Sequence, residues 1–308
     1  MDENRKVGFS EAVDVLRRLL EIQWQRTGRL PETVVTLGGT ALSAHDIRKQ
    51  TDDVDLYLSE VDDDVLALAQ RDGKSRFGDR FKIDATPVNT IWGEIAISDI
   101  GQSPVVATIE VAGRKVIVRA LDVETLYVVK VAADRPKDRI DQGLISRHTE
   151  YGKIVGRANR LFPSYGDREG LPAFAERLAR CIARDFSMRL ADVDADLALS
   201  ETVRRKVSEC RRALEASFML ALRSLMNRRP DLIGADPGRP DRLLFDAAAA
   251  GAPEELLGVM DFNRDEVSDI ATGVLKAHDP KRHLAWLARR RTKPAEEQDP
   301  GSSPSFGR

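Results

Sequence analysis

The chain has 308 residues, with 48 Lys and Arg against 50 Asp and Glu, four His and two Cys; 42% are hydrophobic and 32% charged. That length fits about two domains, and no apolar run reaches the ~18 residues of a membrane span. Two cysteines, Cys181 and Cys210, are too few for a disulfide framework or a structural zinc site.

The net charge of −2 argues against a basic nucleic-acid binder, but it averages unlike parts. Residues 1–150 carry 21 basic and 26 acidic side chains, and residues 151–229 carry 16 and 10. An acidic half joined to a basic middle is an asymmetry that marks phosphate-rich partners. A solvated Arg-rich helix face is the plainer explanation of the same excess.

In chain order, the polar start Met1-Asp2-Glu3-Asn4-Arg5-Lys6 lacks an apolar signal core, so a cytoplasmic location is expected. Ser10 caps an expected amphipathic helix carrying Val13, Leu16, Leu20 and Ile22. Gly28 and Pro31 break it, and Thr33–Leu37 is a β-branched run expected as a strand. Gly38-Gly39-Thr40 follows, with a helix expected from Ala41. Alternation over Val54, Leu56 and Leu58 predicts a half-buried strand, Val61–Ala69 a helix, and Phe81–Asp84 another strand. Val105–Val111 and Lys115–Arg119 flank Ala112-Gly113-Arg114 as a hairpin. Asp122 caps a helix to about Ala133, and Pro136 opens the next.

Long helical stretches are expected at Glu169–Leu190, Glu201–Asn227, Pro253–Val259, Arg264–His278 and Lys281–Arg291, with Pro230, Pro237 and Pro240 in a connector. The tail from Lys293 is polar and expected to be disordered. The expected organisation is a mixed α/β domain over 1–150, a helical domain over 151–292 and a tail over 293–308.

The chemistry is concentrated in three places. Asp53 and Asp55 lie two apart on an expected strand, so both carboxylates point to one side of a sheet. Their repulsion would be relieved by a hard cation such as Mg²⁺ or Mn²⁺, with Asp84 on a neighbouring strand as third ligand. Gly38 and Gly39 would let the backbone approach an anion, and Thr40 would add a hydroxyl to a phosphate oxygen. Either motif alone is most often a turn or a cap; their order along the chain gives them weight. The histidines His45, His148, His278 and His283 have no zinc-site spacing. Trp92, in Asn89–Gly93, could stack on a base or anchor a loop. Arg204-Arg205-Lys206 with Arg211-Arg212 could meet RNA phosphates, and Arg289–Arg291 would complement a helix C-terminus.

These segments resemble the nucleotidyltransferase superfamily of the DNA polymerase β type, and within it the AbiEii-type toxins and minimal nucleotidyltransferase-like proteins. The likeness rests on Gly38-Gly39-Thr40-Ala41-Leu42, on Lys49-Gln50-Thr51-Asp52-Asp53-Val54-Asp55-Leu56, on Ala120–Leu126 with Lys130, and on Arg135-Pro136-Lys137-Asp138-Arg139-Ile140-Asp141. It covers roughly residues 30–150. It implies a nucleotidyltransferase-type mixed sheet flanked by helices, followed by a C-terminal helical bundle. It also implies transfer of an NMP from an NTP to an acceptor hydroxyl, with Asp53, Asp55 and Asp84 holding Mg²⁺ and Asp84 as general base. Lys130 and Lys137 would contact the triphosphate, and Asp138 and Asp141 would support the site or touch the nucleotide. The acceptor would be RNA, such as tRNA, or a protein, and the chain would be the toxin of a toxin–antitoxin or phage-defence system with a cognate antitoxin. Two other readings compete. One is a catalytically degenerate nucleotide-binding or interaction module of the same fold. The other is a small-molecule nucleotidyltransferase of the aminoglycoside type, which needs an acidic acceptor cleft.

Overall fold

The computed structural model describes residues 5–58, 62–86, 94, 100–133, 135–165 and 170–228. Expectations for Asn89–Gly93, for the helices and connector from Pro230 to Arg291, for His278 and His283, and for the tail fall outside those residues.

The first helix, α1 (Phe9–Thr27), starts two residues earlier than Ser10 would set it. The Glu11 carboxylate accepts the Gly8 backbone N–H at 2.9 Å, so Gly8 is the cap. The helix ends at Gly28, whose φ of 64° is left-handed. Strand β1 (Thr33–Thr36) leads directly into α2 (Gly38–Ala44), so Gly38-Gly39-Thr40 form the first turn of the helix, not a loop before it. Strand β2 (Asp53–Tyr57) is followed by α3 (Asp63–Phe77), capped by Asp62, whose side chain accepts from the Asp64 N–H at 2.8 Å. Then come β3 (Lys82–Thr86) and the hairpin β4 (Val105–Val111) to β5 (Arg114–Ala120). Its two-residue turn, Ala112-Gly113, has positive φ at both positions, as the twist of paired strands favours.

Five strands form one mixed sheet in the order β3-β2-β1-β5-β4. Strand β1 runs antiparallel to β2 and parallel to β5, β2 runs parallel to β3, and β4 runs antiparallel to β5. Period-two side-chain alternation then sorts the apolar residues into two cores. Val34, Val54, Leu56, Val116 and Val118 pack under α1 and α3 with Leu16, Leu19 and Phe77. Val35 and Tyr57 face the other way, onto α2 and the helices that follow the sheet.

Those helices are α4 (Val123–Ala133), α5 (Pro136–Ile145), α6 (Tyr151–Tyr165), α7 (Leu171–Asp185), α8 (Leu190–Asp196) and α9 (Glu201–Arg228). Asp122 caps α4 as the sequence predicts, accepting from the Thr125 N–H at 2.9 Å and its hydroxyl at 2.7 Å. Helix α6 has no counterpart among the expected elements. Its buried Ile154, Val155, Ala158, Leu161 and Phe162 nevertheless recur at helical spacing.

The boundary expected near residue 150 does not separate two cores. Ile154, Ala158, Phe174, Leu178, Ile182, Val193 and Val207 share one buried cluster with Val35, Leu42 and Tyr127. The compact unit extends to Val207, and a second unit begins at Ser208. The apolar faces of α6 and α7 are buried in that cluster, so the early part of the helical half belongs to the first unit. Arg204, expected in a phosphate-binding stripe, instead caps the C-terminal end of α8, donating to the carbonyls of Asp194, Leu197 and Leu199.

Candidate active site

Gly38 is required by an internal carboxylate, and Gly39 by the Thr51 side chain. A Cβ on Gly38 would lie 2.2 Å from Asp55 Oδ2, and one on Gly39 would lie 2.3 Å from Thr51 Oγ1. Both distances are far inside van der Waals contact. Gly38 also has φ +46°, which favours glycine. The resulting close approach lets the Gly39 N–H donate to Asp55 Oδ2 at 2.8 Å. Thus the anion at the start of α2 is the chain's own Asp55.

Thr40 is fully buried, and its hydroxyl accepts from the Asp55 N–H at 3.0 Å while donating to the Asp53 carbonyl at 3.4 Å. It braces strand β2 against α2 and does not present its hydroxyl to the cleft. The Thr51 hydroxyl donates to Asp53 Oδ1 at 2.9 Å. Backbone bonds between Val7 and Thr51, 2.8 and 2.9 Å, tie the approach to Asp53 to the N-terminal segment.

Asp53 and Asp55 share the sheet face that also carries Tyr57, on the side of α2 and α4. In the parallel β2–β3 register Asp55 stands beside Asp84, and Asp53 beside Lys82. Burial, reinforced by the charges of Asp53 and Asp84 against the Gly39 hydrogen bond, pushes the Asp55 carboxyl up to about 6. Among the described residues no three His, Cys, Asp or Glu side chains stand grouped as a ready metal cage. The donors therefore comprise two carboxylates on one strand and a third, exposed one on its neighbour.

Opposite this acidic strand is a wall of cations. Gly39, Thr51, Asp52, Asp53 and Asp55 line one cleft together with Arg48, Lys130, Arg135 and Lys137. Lys130, on α4, is 4% exposed, and its ammonium pairs with Asp138 at 2.7 Å and Asp141 at 2.8 Å. Arg135 Nε donates to Asp138 at 2.6 Å, and Arg48 reaches Asp141 at 3.4 Å. Burial alone would raise the Asp138 carboxyl, but hydrogen bonds from Arg135 and Lys130 outweigh it and hold the group below its ordinary value.

The fold therefore gathers Gly39, Asp53, Asp55, Lys130 and Lys137 at one cleft. Gly38 and Thr40 contact Asp55, Asp84 stands beside Asp55 on β3 but is not among the residues lining the cleft, and Asp138 and Asp141 pair with Lys130. Arg48 and Arg135 line the cleft without having been assigned a role from sequence. Their proximity to the Thr51–Asp53 and Lys137–Asp138 segments was the available signal. Comparison of the chain with protein-family models, with curated proteins and with solved structures finds no match.

Proposed function

We propose that the chain is a Mg²⁺-dependent nucleotidyltransferase that moves an NMP from an NTP to an acceptor hydroxyl, on a fold of the DNA polymerase β type. The observation that carries this reading is the cleft itself, where Asp53 and Asp55 on one rigid strand face Arg48, Lys130, Arg135 and Lys137. Neither half is useful alone. Carboxylates repel a nucleotide, and cations alone bind any anion.

The donor set fits a hard cation. Asp53, Asp55 and Asp84 offer only oxygen, and mutual repulsion with burial already holds Asp55 at a raised pKa. Mg²⁺ completes its coordination with substrate phosphates, so a preformed protein cage is not needed. When bound it would supply charge neutralisation at the triphosphate.

The chain's own groups provide the rest. Arg48, Arg135 and Lys137 line the cleft where the triphosphate charge would be taken up. Asp138 and Asp141 fix the Lys130 ammonium, so its orientation is set before substrate arrives. Asp84, exposed beside Asp55, accepts the proton of the acceptor hydroxyl. The hydroxyl oxygen bonds the α-phosphorus, and the bond to the β-phosphate oxygen breaks to release pyrophosphate. The acceptor class is RNA or protein, in the setting of a toxin with a cognate antitoxin. Support for RNA from the basic middle segment is reduced by the use of Arg204 as a helix cap.

A second reading, a nucleotide-binding module without turnover, is favoured by the position of Asp84, which stands beside Asp55 in the strand register but does not line the cleft. One assay separates the two. The protein is incubated with Mg²⁺ and each NTP labelled at the α-phosphate, with total tRNA or cell lysate as acceptor. Transfer that disappears in Asp53→Ala and Asp55→Ala supports the enzyme. Equal label in those variants, or none from wild type with any nucleotide, overturns it.

A further inference from the structure

The Lys130 cluster is held from behind by a second, buried polar chain that the reaction does not use. Tyr127 lies one turn before Lys130 on α4 and is fully buried. Its hydroxyl donates to Asp185 Oδ2, on α7, at 2.8 Å. Arg184, beside Asp185, donates to that carboxylate from Nε at 2.8 Å and from Nη2 at 3.2 Å. Nη2 also donates to Gln142 Oε1 at 3.1 Å. Gln142 is 1% exposed and lies one turn after Asp138 on α5.

Helices α4 and α5 are thus joined by two parallel rungs. One is the direct Lys130–Asp138 pair. The other, a turn away along each helix, runs Tyr127–Asp185–Arg184–Gln142 through α7. Apolar packing alone would allow α5 to slide along α4, because hydrophobic contact is not directional. Hydrogen bonds with fixed donor and acceptor directions do not allow it. The planar guanidinium, serving two acceptors at once, is the group able to set this spacing.

We propose that Arg184, with Asp185, is a positioning residue for the candidate active site. It acts through Gln142 and Tyr127 to hold α5 and α4 in the register that keeps Lys130 between Asp138 and Asp141. As a statement about catalysis this rests on the nucleotidyltransferase reading; as a statement about Lys130 it does not. The consequence is that changes on α7, remote in sequence from every motif of the cleft, alter nucleotide affinity.

The test reads both levels. Lys130 is labelled with acetic anhydride in the full chain and quantified by mass spectrometry against exposed Lys115, with amide exchange of β1 as a check on the sheet. In Arg184→Gln, labelling of Lys130 should rise by about five-fold as the cluster opens locally, while exchange in β1 stays unchanged. Tyr127→Phe, a milder change, should give a smaller rise of the same kind. The KM for NTP should rise in Arg184→Gln by a similar factor. In a Lys130→Gln background the same substitution should change KM by less than about two-fold, because its effect passes through the missing ammonium. Unchanged Lys130 labelling in both variants overturns the proposal, as does a rise matched by faster exchange in β1. Equal KM effects with and without Lys130 overturn the catalytic half. A wild-type protein that neither binds nor transfers nucleotide, yet shows the labelling change, refutes the enzyme and leaves the clamp standing.

Discussion

Replacing Gly38 by Ala tests whether the glycine pair serves the carboxylate strand. A left-handed φ of +46° costs an L-residue about 1–2 kcal/mol. The new Cβ would also stand 2.2 Å from Asp55 Oδ2, so the carboxylate must turn away. Turning away breaks the 2.8 Å hydrogen bond from the Gly39 N–H to a charged acceptor, a loss of about 1.5–3 kcal/mol. The sum is roughly 2.5–5 kcal/mol, a large share of an ordinary domain's stability. Gly156 provides the contrast: it lies in α6 with nothing within 4 Å of an added Cβ. There the same change should gain about 0.5–1 kcal/mol, since alanine orders a helix at lower entropic cost. Urea denaturation followed by circular dichroism, at constant m-value, measures both. A Gly38→Ala variant within about 0.5 kcal/mol of wild type would refute the account of the close approach.

Asp55→Asn should alter the pH dependence of stability. The folded carboxyl titrates at about 6 against an ordinary 3.8, so between those values the folded chain holds the extra proton and stability falls as pH rises. Above pH 6 the whole loss, up to about 3 kcal/mol, is present, and the Asn variant should lack it in urea titrations across that window. Lys130→Met should lose about 3–5 kcal/mol in thermal denaturation, because Asp138 and Asp141 are left buried without their ammonium. Adding Asp138→Asn and Asp141→Asn should recover most of it, and no recovery would show that the pairing is not the cause. Asp122→Ala removes the cap of α4 together with a carboxylate 3.1 Å from Arg157, which is 4% exposed. The expected loss is about 3 kcal/mol or more, partly restored by Arg157→Met, and chemical denaturation of the pair decides it.

Much of the first half was legible because each element carried its own local signal. Asp122 as a cap, Pro136 at a helix start and the Ala112-Gly113 turn all depend on neighbours in sequence. The Asp53–Asp55 pair followed from strand periodicity, and its register with Asp84 needed only two adjacent parallel strands. What sequence could not supply were the tertiary choices. The roles of Thr40 and Lys130 depended on partners distant in the chain or on another helix. Arg48 and Arg135 became cleft residues only once α2, α4 and α5 converged. The expected boundary at 150 missed because composition changes there while the core does not. Helix α6 was overlooked despite its periodic apolar face, with Pro163 falling in its last turn.

The parallel pairing of β1 with β5 also fixes a timetable. Val34 meets Val118, and Thr36 meets Ala120, across more than eighty residues of intervening chain. Such a contact must close a long loop before it returns any stabilisation. During synthesis the carboxylate strand can pair with β1 early, as an antiparallel neighbour close in sequence. The sheet stays open on its other side until β5 has emerged, and the cations that follow it, Lys130, Arg135 and Lys137, wait longer still, for α4, α5 and the helices that back them. The cleft is thus assembled in stages, and a nascent chain that already displays its acidic strand and Arg48 still lacks Lys130, Arg135 and Lys137.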